Sequence, residues 1–137
     1  MTMPATDWLK DQIRAHLLRS ATWAKPAELW VALYSAAPTA AGGGTELNAA
    51  GYARVRHGPG DYYWTAPVDG WFANASKIQF GVPLAPWAGI EAAGLLSAAS
   101  GGILYAYDTF APIGFDVGGG APHFLPGKLR LRLSASA

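Results

Sequence analysis

The sequence predicts a mainly β domain, an antiparallel β-sandwich of jelly-roll-like character with one amphipathic helix at its N-terminus. Three observations lead there. The chain has 137 residues, about one domain's worth of polypeptide. Its 17 Gly and 10 Pro cut it into short elements. Its apolar residues follow a helical period only near the start, and afterwards a period of two or short continuous runs. At 51% hydrophobic and 12% aromatic, the chain has material for a core and lies outside the composition of disordered proteins. Residues 1–25, helix and linker, and residues 26–137, the sandwich, read as one domain, with no repeat or interdomain linker between them.

The helix spans Asp7 to Ser20. Leu9, Ile13, His16, Leu17 and Ser20 fall on one side at helical spacing. Thr6 is placed to cap it, its hydroxyl accepting from a free N–H of the first turn. Asp7 and Asp11 suit the positive end of the helix dipole, and Arg14, His16 and Arg19 the negative end. The expected packing is onto the chain's own sheet. The sharper alternative is a helix that docks on a neighbouring subunit. His16 reads as a hydrogen-bonded, semi-buried residue of the apolar face.

After Lys25-Pro26 the period changes. Leu29 to Tyr34 is apolar on both faces, as in a central strand covered on both sides. Pro38 closes it, and Ala40 to Thr45 reads as a mobile Gly-rich loop. Tyr52 to Arg56 alternates, and Gly58-Pro59-Gly60 makes a turn. Ile78 and Phe80 alternate with Lys77 and Gln79, and Gly89 to Leu96 reads as the next strand. Ala98 to Gly102 is a turn before a strand over Ile103–Tyr107, which Pro112 separates from a short one near Ile113–Phe115. The final strand, Lys128 to Leu133, has strict period two, with three Leu on one side and three cations on the other.

Charge and chemistry narrow the function. Only 14% of residues are charged, against roughly 25% in an ordinary soluble domain. Such a surface is expected to meet a partner. With 10 Lys+Arg against 9 Asp+Glu there is no global field to steer nucleic acid or an anionic membrane. The absence of Cys removes disulfides, thiol catalysis and thiolate metal sites. The start of the chain lacks the basic-then-apolar pattern of a signal peptide, and no apolar run reaches membrane-spanning length.

No catalytic constellation emerges. There is no G-x-S-x-G elbow for a serine hydrolase. His16, His57 and His123 form no ligand pair, so no metal is expected. Glu46, Asp61, Asp69, Asp108 and Asp116 are the carboxylates a glycosidase would need to pair, but turn and cap duties are their default. Neither Gly42-Gly43-Gly44 nor Gly118-Gly119-Gly120 continues as a phosphate loop. No enzyme activity and no cofactor is therefore expected. Lys128, Arg130 and Arg132 read as a solvated or edge-guarding face rather than a nucleic-acid site.

The aromatics suggest contact surfaces. Tyr62-Tyr63-Trp64 follows the Gly-Pro-Gly turn, and Trp71-Phe72 comes soon after. Aromatic rings can stack on sugars, which keeps a carbohydrate-binding, host-recognition module as the alternative. Trp and Tyr also build cores and interfaces, each offering a rigid apolar face with one polar handle. The candidate interface residues are Trp8, Leu9 and Ile13 on the helix, Tyr62, Tyr63, Trp64, Trp71 and Phe72 in the middle, and Arg130 and Arg132 on the last strand.

A family resemblance runs through the same residues. It begins with Pro26-Ala27-Glu28-Leu29-Trp30-Val31-Ala32-Leu33-Tyr34-Ser35-Ala36-Ala37-Pro38, then Gly42 to Leu47 and Gly51-Tyr52-Ala53-Arg54-Val55. It continues through Trp64-Thr65-Ala66-Pro67, Asn74, Ile78-Gln79-Phe80, Trp87-Ala88-Gly89, Ser100 to Tyr105, and Pro126-Gly127. This pattern resembles the small tailed-bacteriophage virion proteins commonly labelled phage tail fibre-like proteins. Two departures stand out: Ser97 where the pattern tends to have Asp before the Gly-Gly turn, and a longer, Gly/Pro-rich loop from Val117 to Pro126.

The resemblance implies a structural virion protein without catalytic residues, assembled in the host cytoplasm. Its expected place is a capsid-surface decoration or cement protein, or the base of a head or tail fibre, working by multivalent protein–protein contacts. The expected partners are major capsid protein or tail components and further copies of itself, as a trimer or ring. A surface glycan is the partner under the alternative reading; nucleic acid and membrane are not expected.

Overall fold

The computed structural model describes residues 2–132. The elements in chain order are β1 (Thr2–Pro4), α1 (Asp7–Leu18), β2 (Trp30–Ala36), β3 (Thr45–Glu46), β4 (Val55–Arg56), β5 (Phe72–Ala73), β6 (Ile78–Gln79), β7 (Trp87–Leu96), β8 (Leu104–Phe115), β9 (His123–Phe124) and β10 (Arg130–Arg132). The protein is mainly β with one helix, as the sequence predicts. The main sheet has the order β3-β2-β7-β8, with β4 also paired to β2. Two small sheets, β1-β10-β5 and β6-β9, complete the fold.

One core joins all three sheets. Val31, Leu33, Ile90, Ala93, Leu95 and Ala106 come from the main sheet, while Met3, Ile78 and Leu129 come from the small sheets and their approaches. Trp87 anchors it, fully buried, with Nε1 donating to the Ala50 carbonyl at 2.9 Å. Burying such a ring removes a large apolar area from water, and the indole N–H needs the partner it has. Strand β2 is central, with β7 on one side and β3 and β4 sharing the other, and its continuous apolar run is explained by burial on both faces, Val31 and Leu33 in this core. Its second face carries a smaller cluster of Ala32, Tyr34, Ala92 and Leu96. Gly94 opposite Ala32 makes this cluster close-packed, because a Cβ there would lie 2.8 Å from Leu104 Cδ1 and 2.9 Å from Tyr34 Cε2.

The helix departs from its expected face. Thr6 does cap it, with Oγ1 accepting from Leu9 N–H at 3.4 Å while donating to the Leu104 carbonyl at 2.8 Å. Of the expected stripe, Leu9 is buried and Ile13 half-buried, packing towards Tyr105, Trp23 and Leu29. The helix ends at Leu18, and Leu17 and Leu18 are each 77% exposed. His16 is exposed too, with Nδ1 accepting from Trp23 N–H at 3.2 Å. The apolar stripe outruns the surface beneath it: the leucine and isoleucine packing is confined to the first two turns, and the third is held through His16 and Trp23 while Leu17 and Leu18 stand clear.

Other corrections follow from pairing. The Gly-rich loop after Pro38 contains a closed turn, in which Thr39 and Gly42 exchange backbone hydrogen bonds of 3.0 and 2.8 Å, and Thr45 already belongs to β3. Pro112 does not divide two strands. Strand β8 runs through it as an edge of the main sheet, where a missing N–H costs no ladder bond, and its register against β7 shifts between Ile90 and Ala92. The first residues form a strand that no periodicity marks, pairing in parallel with β10 through Thr2↔Arg130, Met3↔Leu131 and Pro4↔Arg132. In β10 the alternation holds, with Leu129 and Leu131 turned inward and Arg130 and Arg132 exposed. Leu133, the last residue of the expected strand, lies outside the described residues.

Candidate interaction surfaces

The main concentration of buried ionic and phenolic groups lies where β3, the 52–54 segment and the 98–101 turn meet. Arg54 binds Glu46 in a fork, Nε to Oε2 at 2.9 Å and Nη2 to Oε1 at 2.8 Å, and Nη1 donates to the carbonyls of Ala98 (2.7 Å) and Gly101 (2.8 Å). Tyr52 donates its hydroxyl to Glu46 at 2.5 Å and accepts from Leu33 N–H at 3.0 Å. Burial raises the Glu46 carboxyl, but the hydrogen bonds from Arg54 and Tyr52 outweigh it and hold the group below its usual range. Burial, reinforced by the bond to Glu46, pushes the Tyr52 hydroxyl far up. Each of these Arg54 bonds goes to an internal acceptor. This corner fastens a turn to the sheet.

Asp108 is similarly engaged. It accepts from Thr2 N–H at 3.0 Å and from Thr109 N–H at 2.8 Å. Among the described residues, no group of three His, Asp or Glu is gathered as a metal would require.

The aromatic candidates divide into three settings. Leu9 and Ile13 from α1, Trp64, and Phe72 of β5 line a single apolar hollow of about 280 Å³, completed by Trp23 and Leu131 among others. Residues far apart in sequence are thus brought onto one surface between the helix and the β1-β10-β5 sheet. Trp64 is fixed from behind, its Nε1 donating to the His57 carbonyl at 2.8 Å and its ring lying 5.3 Å from the His57 ring.

His57 organises the second setting. It is 2% exposed, and its Nε2–H donates to the Tyr63 carbonyl at 2.8 Å. Burial lowers the imidazole's affinity for a proton, and the bond to Tyr63 only partly restores it. Tyr63 packs edge-on against this ring at 5.1 Å, and Tyr62 packs edge-on against Tyr63 at 5.1 Å. Tyr62 itself is 74% exposed.

The third setting lies on the outer face of β10. A two-residue turn, Asp69-Gly70, joins Val68 to Trp71, with positive φ at both positions (52° and 81°), as tight hairpins require. Trp71 is thereby held against β10, where the guanidinium groups of Arg130 and Arg132 lie 5.0 and 4.5 Å from its ring centroid. Trp8 stands apart from all three, at the margin of exposure, with its ring 5.8 Å from that of Tyr105.

A further opening was not among the expected sites. An apolar groove of about 490 Å³ lies between the outer half of β8 and the β6-β9 ribbon, walled by Phe110, Ile113 and Phe115 on one side and by Phe80, Pro122 and Phe124 on the other. Reading Pro112 as a strand break hid it, because Phe110 and Ile113 to Phe115 then belonged to separate elements. The phenylalanines spaced along a Pro- and Gly-containing edge were the available signal.

Among the described residues, no helix is long and apolar enough to cross a membrane. No curated protein matches the chain. A family model does, over residues 4–132, and its description is Podophage GP4 fiber I protein gp80. That match covers the helix, all the sheets from the end of β1 onward, and each apolar opening described above, and it shows that the chain belongs to this phage fibre protein family.

Proposed function

We propose that the protein is a compact structural part at the base of a phage fibre, joining virion components through several apolar contacts at once. The observation that carries this reading is the pair of surface openings, the 280 Å³ hollow beside the helix and the 490 Å³ groove beside β8, both walled by aliphatic and aromatic side chains. Open apolar surface of this kind is what protein partners cover. The buried polar groups, by contrast, are engaged internally. Membership in a fibre family favours the fibre base over a capsid decoration or cement role.

The test is the protein's place and copy number in the particle. Purified virions, examined by cryo-electron microscopy and quantitative mass spectrometry, should carry it at the tail or a fibre attachment point in numbers matching the fibres. Hundreds of copies spread over the capsid would replace the fibre-base reading with a decoration role.

The host-glycan reading draws on Tyr62, the most exposed of the rings in the cluster. Two features weigh against it: Trp64 is turned into the apolar hollow, and Trp71 is already occupied by two guanidinium groups. Titration with host polysaccharide while following tryptophan fluorescence separates the two. A saturable change lost in Tyr62→Ala would favour the glycan.

A further inference from the structure

We propose that Leu17 and Leu18, at the end of α1, form a knob that seats in the β8 groove of a second copy of this chain, joining copies head to tail. This contact deepens the assembly role proposed above and rests on it.

The groove is large enough. An engineered hollow of about 150 Å³ holds a benzene ring, whereas this one offers about 490 Å³, room for both leucine side chains. An added β-strand is the obvious rival occupant, since β8 is a sheet edge. The edge is blunted against it, however: Pro112 has no N–H to offer, and the ladder to β7 is irregular on both sides of Ile90. Side chains rather than backbone suit the opening.

The knob is equally unexplained by the single chain. Leu17 and Leu18 are the most exposed large apolar residues described, adjacent in sequence and beyond the part of the helix that packs. Their charged surroundings match the groove. Arg14 and Arg19 flank the leucines, Arg14 already paired with Asp11 at 3.2 Å. Asp108, still anionic while accepting from Thr2 and Thr109 N–H, lines the groove, and exposed Asp116 lies just beyond Phe115. His123, also at the groove, is tied to the Ala121 carbonyl at 3.0 Å. Docking therefore brings cations towards carboxylates around an apolar centre, an arrangement that favours one register over others. Knob and groove are different patches, so the contact is heterologous and generates a ring wherever the rotation closes.

Light scattering on the full chain tests this. Wild type should be oligomeric at micromolar concentration. Leu17→Asp/Leu18→Asp and Ile113→Asp should each be monomers with wild-type circular dichroism, since all three positions are solvent-exposed. Leu17→Ser/Leu18→Ser and Ile113→Thr replace them if the acidic variants fold poorly. Mixing a knob variant with a groove variant should give a one-to-one heterodimer and nothing larger, because only one intact knob then meets one intact groove. A wild-type monomer at hundreds of micromolar, a wild-type-sized oligomer in either variant, or a mixture that stays monomeric overturns the contact. A monomer that still enters virions at the fibre base removes this contact alone, whereas absence from virions removes the fibre role.

Discussion

The corner around Arg54 and the hollow beside the helix use side chains in opposite ways. In the first, a guanidinium, a carboxylate and a phenol close on one another, with every bond made inside the chain. In the second, Leu9, Ile13, Trp64 and Phe72 converge from three parts of the sequence and leave a space unfilled. Polar groups buried together must satisfy each other or destabilise the fold. Apolar groups can stand partly open at moderate cost, and the opening is then available to a partner. Strong polar chemistry in this protein is therefore a mark of internal fastening, and function is to be sought where the surface is apolar and incomplete.

Substitutions can break this contrast from its strongest side first. Arg54→Ala leaves the Glu46 carboxylate with the Tyr52 hydroxyl alone and removes the donor from two carbonyls, and should lower stability by about 3 kcal/mol in urea denaturation. A loss below about 0.5 kcal/mol, the scale of an exposed pair, would mean that the corner is ordinary surface. Asn74→Ala comes next. Asn74 is fully buried, donating to the carbonyls of Ser76 and Leu125 at 3.0 Å and accepting from Leu129 N–H at 2.9 Å. Its loss should cost about 2 kcal/mol, since buried partners are left unsatisfied.

A third effect is pH-dependent. His57 binds a proton less readily folded than unfolded, so the unfolded chain takes up more protons as pH falls through and below the ordinary histidine value of 6.5. Its contribution is fully present above that value and is lost as pH falls towards the depressed folded value. The melting temperature should decline over this interval, and His57→Gln should flatten that part of the profile. An unchanged profile in the variant would remove His57 as the cause. The smallest effect belongs to the open side: Leu17→Ser/Leu18→Ser should shift monomer stability by no more than about 0.5 kcal/mol. A larger loss in monomer stability would mean that the helix end packs at home.

Much of the fold was legible in the sequence because alternation records which side of a strand meets the core. Leu129 and Leu131 at the last strand and Ile78 with Phe80 follow that rule, and the unbroken apolar run of β2 marks a strand buried on both faces. The Thr6 cap was legible for a similar reason, since a local hydrogen bond needs only local residues. The start of the chain was not. Thr2 to Pro4 is short and unpatterned, and becomes a strand only because β10 presents a free edge to it. Leu17 fits the helical stripe perfectly, yet periodicity cannot say how far the underlying surface extends. The same limit applied to the interface candidates: the sequence could nominate Leu9, Ile13, Trp64 and Phe72, but only the fold places them around one space. The β8 groove required knowing that an edge strand continues through a proline.

The parallel pairing of β1 with β10 gives the molecule a mechanical character. Thr2 lies beside Arg130 and Pro4 beside Arg132, so tension applied between the two ends of the described chain pulls neighbouring strands lengthwise past each other. The cross-strand bonds are then loaded together in shear instead of parting one at a time like a zipper. A chain pulled in this way would resist extension at this seam before its core felt the load.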